Sequence, residues 1–398
     1  MNIPRLGTAQ RDVWLIRLYY LLYYGGVGCM SPFLNLFYTQ IGLTGTQIGW
    51  TVSIMALVTL VAAPLWANQN AEWRNPRVAL QLFLIAVALG YLVLSQQTFF
   101  VGVAIVSLVR ALVGAGVTPI SDSLALTVTR AAQKGYGSVR VWGSLGWILL
   151  VPLSGWLVER TGLRTSLISA FAVTLLSAAI LLPVSRDSFT PREVQDKPRI
   201  TSVVGKLLHN RAMVGAALML VFIGIGNSGV AQFENVYLRQ LGASDSLIGI
   251  LATVNALLEL PCMLWADRRA TRRGAYGLML GSMLLYLGLR VMVLLAPSIL
   301  AITLARSLTG FAFSFFTVGL VRFVGEQTPA RETGTVLALY SVTLANLISI
   351  LSSPLSGAAF DAFGGRPLYA IAAIGYVLAW ASLLLARRHD RQQARWPE

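Results

Sequence analysis

Charge is scarce in this sequence. Asp, Glu, Lys and Arg make up 12% of 398 residues, about half the ~25% of an ordinary soluble domain. Histidine and cysteine are scarcer, with two of each. Cys29 and Cys262 fall inside apolar runs, which gives neither a disulfide framework nor a metal-ligand spacing. Both histidines, His209 and His389, lie in polar segments and there is no HExxH pattern, so no catalytic constellation, metal site or cofactor is expected. The glycines of YGSVRVWGSLGW, residues 136 to 147, do not make a phosphate cradle either. Counting from Gly135, the sixth position of a dinucleotide fingerprint is Arg140.

What the chain has in abundance is long apolar runs, with 56% hydrophobic residues. A hydrocarbon core of about 30 Å needs roughly 20 apolar residues per helical crossing. Twelve runs meet that need, at 13–39, 46–67, 77–95, 99–129, 138–157, 165–184, 211–239, 246–266, 276–295, 298–326, 335–357 and 367–386. They are continuously apolar and do not alternate, which excludes a transmembrane barrel. The expected fold class is therefore an all-α membrane protein with twelve transmembrane helices.

The net charge of +15 raises the question of nucleic acid, and its distribution answers it. With a cytoplasmic N-terminus, 21 of the 31 Lys and Arg fall in cytoplasmic segments and 4 in outer loops, the rest lying inside spans. This is the positive-inside asymmetry of a multi-pass protein of the cell membrane with both termini in the cytoplasm, and nucleic acid is not an expected partner. The opening residues MNIPRLGTAQR lack the pattern of a cleaved signal peptide.

The chain is written twice. FYTQIGLTGTQIG at 37–49 lies over YLRQLGASDSLIG at 237–249, and Asn35 coincides with Asn235. LVRALVG at 108–114 answers LARSLTG at 304–310, and SGWLVERTGLR at 154–164 answers SGAAFDAFGGR at 356–366. The expected organisation is a six-helix bundle over 1–184, a polar cytoplasmic linker over 185–210, a second bundle over 211–386 and a cytoplasmic tail over 387–398. Repeats of this kind are typical of transporters that alternate access by moving one half against the other.

These motifs are similar to those of the major facilitator superfamily. WADRRATRR at 265–273 resembles its basic loop motif, which implies a gating role for Asp267, Arg268 and Arg272. RALVG at 110–114 and RSLTG at 306–310 resemble its helix-4 motif. PISDSLAL at 119–126, followed by YGSVRVWGSLGW, resembles the branch that contains phenylpropionate permeases, with lactose and nucleoside permeases as relatives. LLELP at 257–261 and LRVMV at 289–293 extend the match. The resemblance implies a proton-linked importer of a small organic solute, an aromatic carboxylate, nucleoside or sugar, acting as a monomer. A uniporter, a proton-driven exporter and a non-transporting receptor are the alternatives. One departure is that Thr309 stands where several relatives carry a helix-10 histidine, so any proton coupling falls to carboxylates.

Ionisable side chains at bilayer depth are costly and each is a functional-site candidate. Asp122 and Arg140 lie 9 residues either side of position 131, level with each other at roughly 10 Å from the cytoplasmic side. They are expected to pair, either to hold two helices or to take substrate, with Arg140 suited to a bidentate carboxylate. Glu259 and Arg290 are level in the same way about Gly274 and form the expected pair of the second half. Glu234 stands alone on the seventh span, either as a proton carrier or at the water interface near Arg239. Arg110 and Arg306 either line the cavity or bond backbone carbonyls. Tyr24 is the deepest of four helix-1 tyrosines and either stacks on a planar substrate or anchors the helix at the interface. Asp122, Arg140, Tyr24, Asn35, Asn255 and Arg110 are thus the expected substrate contacts, and Glu259, Arg290, Glu234 and Arg306 the expected proton-coupling group. Arg322 and Glu326 are expected to form an ordinary i,i+4 pair.

Overall fold

The computed structural model describes residues 6–69, 76–185 and 200–393. Those residues are helical almost throughout, because long apolar stretches that must satisfy their own backbone hydrogen bonds away from water do so within a helix. In chain order the helices are α1 (Leu6–Met30), α2 (Leu34–Gln40), α3 (Gly45–Gln69), α4 (Pro76–Ser95), α5 (Phe100–Ala131), α6 (Gly137–Thr161), α7 (Arg164–Ile180), α8 (Ile200–His209), α9 (Arg211–Gln240), α10 (Asp245–Leu295), α11 (Ile299–Gln327), α12 (Ala330–Ala338), α13 (Ala345–Phe363) and α14 (Arg366–Gln393). A π-helical turn at Leu339–Leu344 joins α12 to α13.

The first expected span is broken at residues 31–33 into α1 and α2, beside Pro32. Conversely, α10 carries two expected spans in one helical run, turned at Gly274 by a backbone φ of 68° and ψ of 167°. Among the described residues, ten helices are long and apolar enough to cross a membrane. The two other expected spans are the 17-residue apolar helix α7 and α1, which carries Arg11, Asp12 and Arg17. Large apolar side chains such as Leu65, Leu149, Leu351 and Leu385 are more than half exposed, as suits a surface solvated by lipid rather than by water.

The repeat is visible in the turns. Gly42 and Gly242, with φ of 85° and 93°, close α2 and α9 with the same bonds, Leu43 N to Tyr38 O and Ala243 N to Leu238 O at 3.0 Å each. These left-handed positions favour glycine, which explains its recurrence there.

The chain forms two compact units. Unit 1 comprises Met1–Leu43, Ile54–Gln195 and Ser244–Thr253, and unit 2 comprises Thr44–Ser53, Asp196–Ala243 and Val254–Glu398. In unit 1, α1 packs on α6 and α7, and α4 on α5 and α7; in unit 2, α9 packs on α14 and α13. Each unit thus contains the opening of one helix from the other half of the sequence, held by a carboxylate. In unit 2, Asp361 accepts from Gly45 N at 2.6 Å, Thr46 N at 2.8 Å and Thr46 Oγ1 at 2.7 Å. In unit 1, Glu159 accepts from Ser246 N at 3.0 Å. The two acids hold equivalent places in SGWLVE and SGAAFD, and each caps donors that a helix cannot satisfy internally.

Candidate functional site

In unit 1 the polar centre forms where α1, α5 and α6 meet. The four helix-1 tyrosines point inward instead of anchoring the helix at an interface, with Tyr19 and Tyr20 fully buried. Tyr20 donates to Asp122 Oδ1 at 2.7 Å and Tyr136 donates to the same oxygen at 2.8 Å. Arg140 lies over the Tyr24 ring, with its Cζ 4.1 Å from the centroid. Successive rings touch, Tyr20 on Tyr24 at 5.8 Å, Tyr19 on Tyr23 at 5.9 Å and Tyr23 on Tyr24 at 5.1 Å between centroids.

The expected Asp122–Arg140 ion pair is not made. Equal depth along two helices brings the residues to one level, but the hydroxyls of Tyr20 and Tyr136 occupy Asp122 and the Tyr24 face takes the guanidinium. Gly143 makes that stacking possible, since a Cβ there would sit 2.8 Å from the Tyr24 ring and 2.9 Å from Arg140 Nη1. Asp122 Oδ2 has no protein partner among the described residues, so it and the Arg140 fork both remain able to bind a polar ligand.

Unit 2 is built around Glu234. Its Oε1 lies 3.6 Å from Arg290 Nη1 and its Oε2 3.8 Å from Arg306 Nη1. Tyr369 donates to Oε1 at 3.1 Å, and Arg306 also donates to the Asn235 carboxamide oxygen. Arg290 is 5% exposed, and the stacked rings of Tyr286 and Tyr376, 4.9 Å apart, lie within its electrostatic reach. Glu234 therefore sits inside the helix cluster and not at a water interface with Arg239.

The second expected pair is corrected as well. Glu259 makes no ion pair among the described residues. Its stretch of α10 faces α11, where Ser314 Oγ donates to the Glu259 carbonyl at 3.1 Å, whereas Arg290 turns toward α9 and α14. Asn255 belongs to the same α10 face; its Oδ1 is buried without a hydrogen-bond partner beside Gly310. Asn35 lies on α2, at the place that Asn235 holds on α9. Of the gating motif, Arg268 is exposed, while the side chains of Asp267 and Arg272 lie outside the described residues. Arg322 and Glu326 make the expected i,i+4 pair at 2.8 Å.

Arg110, on α5, is 8% exposed. Its Cζ is 5.2 Å from the Tyr91 centroid and its Nη2 is 3.6 Å from Met55 Sδ. Neither partner carries an opposite charge.

Sequence reasoning missed Tyr136, Tyr369 and the Tyr286–Tyr376 stack. Tyrosines are common in this chain and carry no charge, so nothing in their spacing marks which hydroxyl meets a carboxylate. A separate cavity of about 440 Å³ in unit 2, lined by Trp265, Gly281, Phe311 and Phe315 among others, has no charged side chain in its wall among the described residues and is not the polar centre.

The chain is similar over 97% of its length, and 97% of the relative's, to the maltose permease of Geobacillus stearothermophilus, at 26% identity. It is 23% identical to the multidrug resistance protein MdtG of Proteus mirabilis, over 98% of this chain and all of that one. The probable 3-phenylpropionic acid transporter of Escherichia coli is 24% identical over 63% of this chain and 65% of its own. The fold matches that of a mutant form of the nucleoside transporter NupG, with a TM-score of 0.82 at 14% identity over 94% of this chain and 99% of that one. The model of the MFS_1 like family matches residues 13–371, and the chain belongs to that family, as a transporter of the major facilitator superfamily and not an enzyme.

Proposed function

We propose that this transporter carries a small organic solute into the cell together with protons, as a monomer in the cell membrane with both termini in the cytoplasm. Asp122, Arg140 and Tyr24 hold the solute, with Asn35, Arg110 and Asn255 as further contacts. Glu234, Arg290 and Arg306 respond to protonation, with Glu259 as a second acid, and Asp267, Arg268 and Arg272 gate the cytoplasmic side. The observation that carries the reading is the clamping of Glu234 between two arginines inside an apolar bundle. Protonating that carboxylate removes the charge that holds Arg290 and Arg306 together, and so gives the proton a structural consequence.

The solute site has the chemistry of a carrier for a planar or hydroxylated molecule. A guanidinium on an aromatic face, beside a carboxylate with one open oxygen, offers donors, acceptors and a stacking surface within one short span. That chemistry fits the solutes named for the maltose permease, the phenylpropionic acid transporter and the nucleoside transporter alike. The full-length likeness to a multidrug resistance protein favours a second reading, proton-driven export. Both readings are tested by solute flux in proteoliposomes with an imposed pH gradient. Import predicts accumulation toward the alkaline side that Glu234→Gln uncouples from the gradient. Flux of the same size in parent and variant would remove Glu234 from the coupling scheme, and movement toward the acid side would establish export.

A further inference from the structure

The two halves of the repeat treat an equivalent arginine differently. Arg110 in RALVG and Arg306 in RSLTG occupy the same place. Arg306 has its counter-ion inside unit 2, Glu234 at 3.8 Å, with Asn235 beside it. In the aligned segments, PFLNLFY lies over QFENVYL, so that Phe33 matches Phe233, Asn35 matches Asn235, and the place of Glu234 is taken by Leu34. The first half has kept the arginine and has no acid where the second half has one.

The consequence is visible around Arg110. It is 8% exposed, its Nε has no hydrogen-bond partner, and among the described residues its guanidinium meets the Tyr91 ring and the Met55 sulfur. The hydroxyls of Tyr23 and Tyr38 lie within its electrostatic reach. Tyr38 stands one turn beyond Leu34 on α2, so the two share a face directed to the same region. The arginine stem lies against α4 at Gly90, where a Cβ would make ordinary contact with Arg110 Cγ at 3.4 Å. An arginine cannot shed its charge, and a buried cation without an anion is a strongly unfavourable arrangement unless one arrives. Asp122 does not serve, because it lies 12 residues further along α5, about 18 Å by helical rise, and is held there by Tyr20 and Tyr136.

We infer that Arg110 is an anion subsite: the carboxylate of the transported solute occupies the place that Glu234 fills in the second half, with the body of the solute among the rings of Tyr23, Tyr38 and Tyr91. The solute class is then an organic monocarboxylate with an aromatic or otherwise planar body. This rests on the transport reading above, and narrows its substrate to an anion.

The test uses the full chain in detergent, with 3-phenylpropionate and its uncharged amide as probes, chloride as the inorganic control, and the variants Arg110→Gln and Leu34→Glu. The parent is expected to bind the carboxylate at least about tenfold more tightly than the amide. Arg110→Gln is expected to abolish that preference. Leu34→Glu, which supplies the missing acid from the protein, is expected to abolish the preference too and to unfold at a higher temperature than Arg110→Gln. A parent with no preference for the carboxylate, an Arg110→Gln protein that keeps it, or stabilisation by chloride equal to that by the carboxylate would each overturn the assignment. Should Arg110→Gln not fold, a Leu34→Glu protein that keeps the preference overturns it equally. Proton-driven flux in the same preparations separates the two claims. Flux without a carboxylate preference sinks the anion subsite alone, and a preference without flux sinks the transport scheme alone.

Discussion

Unit 1 and unit 2 descend from one repeated sequence and have arrived at opposite electrostatic arrangements. In unit 2, the buried Arg290 and the half-buried Arg306 share Glu234, and Tyr369 and Asn235 make further bonds. In unit 1, Arg140 rests on an aromatic ring, Arg110 rests on another, and Asp122 is bound by hydroxyls instead of by either cation. Each centre holds two arginines to one acid. In unit 2 the acid lies between its arginines and a proton can switch the contact; in unit 1 the acid is bonded to hydroxyls and the arginines are left to an anion from outside. The difference follows from few residues, chiefly Glu234 against Leu34, and shows how duplication allows one half to specialise while the fold stays the same.

The strongest way to break this contrast is to remove the acid that makes unit 2 self-sufficient. Glu234→Ala leaves the buried Arg290 and the half-buried Arg306 without their anion and is expected to cost about 3–5 kcal/mol, seen as a large fall in the thermal unfolding temperature in detergent. Glu259→Gln is the matched control. Glu259 makes no ion pair among the described residues, so its neutral variant is expected to stay within about 1 kcal/mol of the parent by the same assay.

In unit 1 the corresponding experiment reads binding more than stability. Arg140→Ala is expected to weaken solute binding about 10- to 100-fold, the range for losing hydrogen bonds to a charged group, with calorimetric titration as the measurement. Gly143→Ala sharpens the point without touching a charge. The added methyl would press on both Tyr24 and Arg140 Nη1, and is expected to cost about 1–3 kcal/mol through overpacking, with binding falling in parallel. If Gly143→Ala binds as the parent does, the stacked geometry is not the one that meets the solute. Tyr136→Phe removes one of two bonds to Asp122 and is expected to cost about 1 kcal/mol. At the small end, Arg322→Ala breaks only a half-exposed i,i+4 pair and is expected to change stability by about 0.3–0.5 kcal/mol.

Which residues belong to these centres was largely legible in the chain; how they pair was not. Asp122, Arg140, Glu234, Arg290 and Arg306 stood out because ionisable groups are rare in apolar runs. Counting residues placed Asp122 level with Arg140 and Glu259 level with Arg290, and in both cases the count led to the wrong partner. Helical rise fixes a residue's depth along its own axis, but whether two residues at one depth meet depends on the direction each faces. Arg290 is directed to Glu234 on α9 and Tyr369 on α14, and that direction is set by the packing of whole helices. Tyr20, Tyr136 and Tyr369 were invisible as partners for the same reason, since a hydroxyl gains its role only from what stands opposite.

The sequence alone therefore determined the solvent, the helices, the repeat and the set of buried charges, because hydrophobic length, recurring glycine motifs and scarce ionisable residues are properties of local stretches of chain. The tertiary structure alone decided that Glu234 is clamped by two arginines, that Asp122 is held by tyrosines, and that Arg110 has no anion of its own among the described residues. Those are relations between helices, and an ion pair forms or fails on angstroms that no single stretch of chain contains.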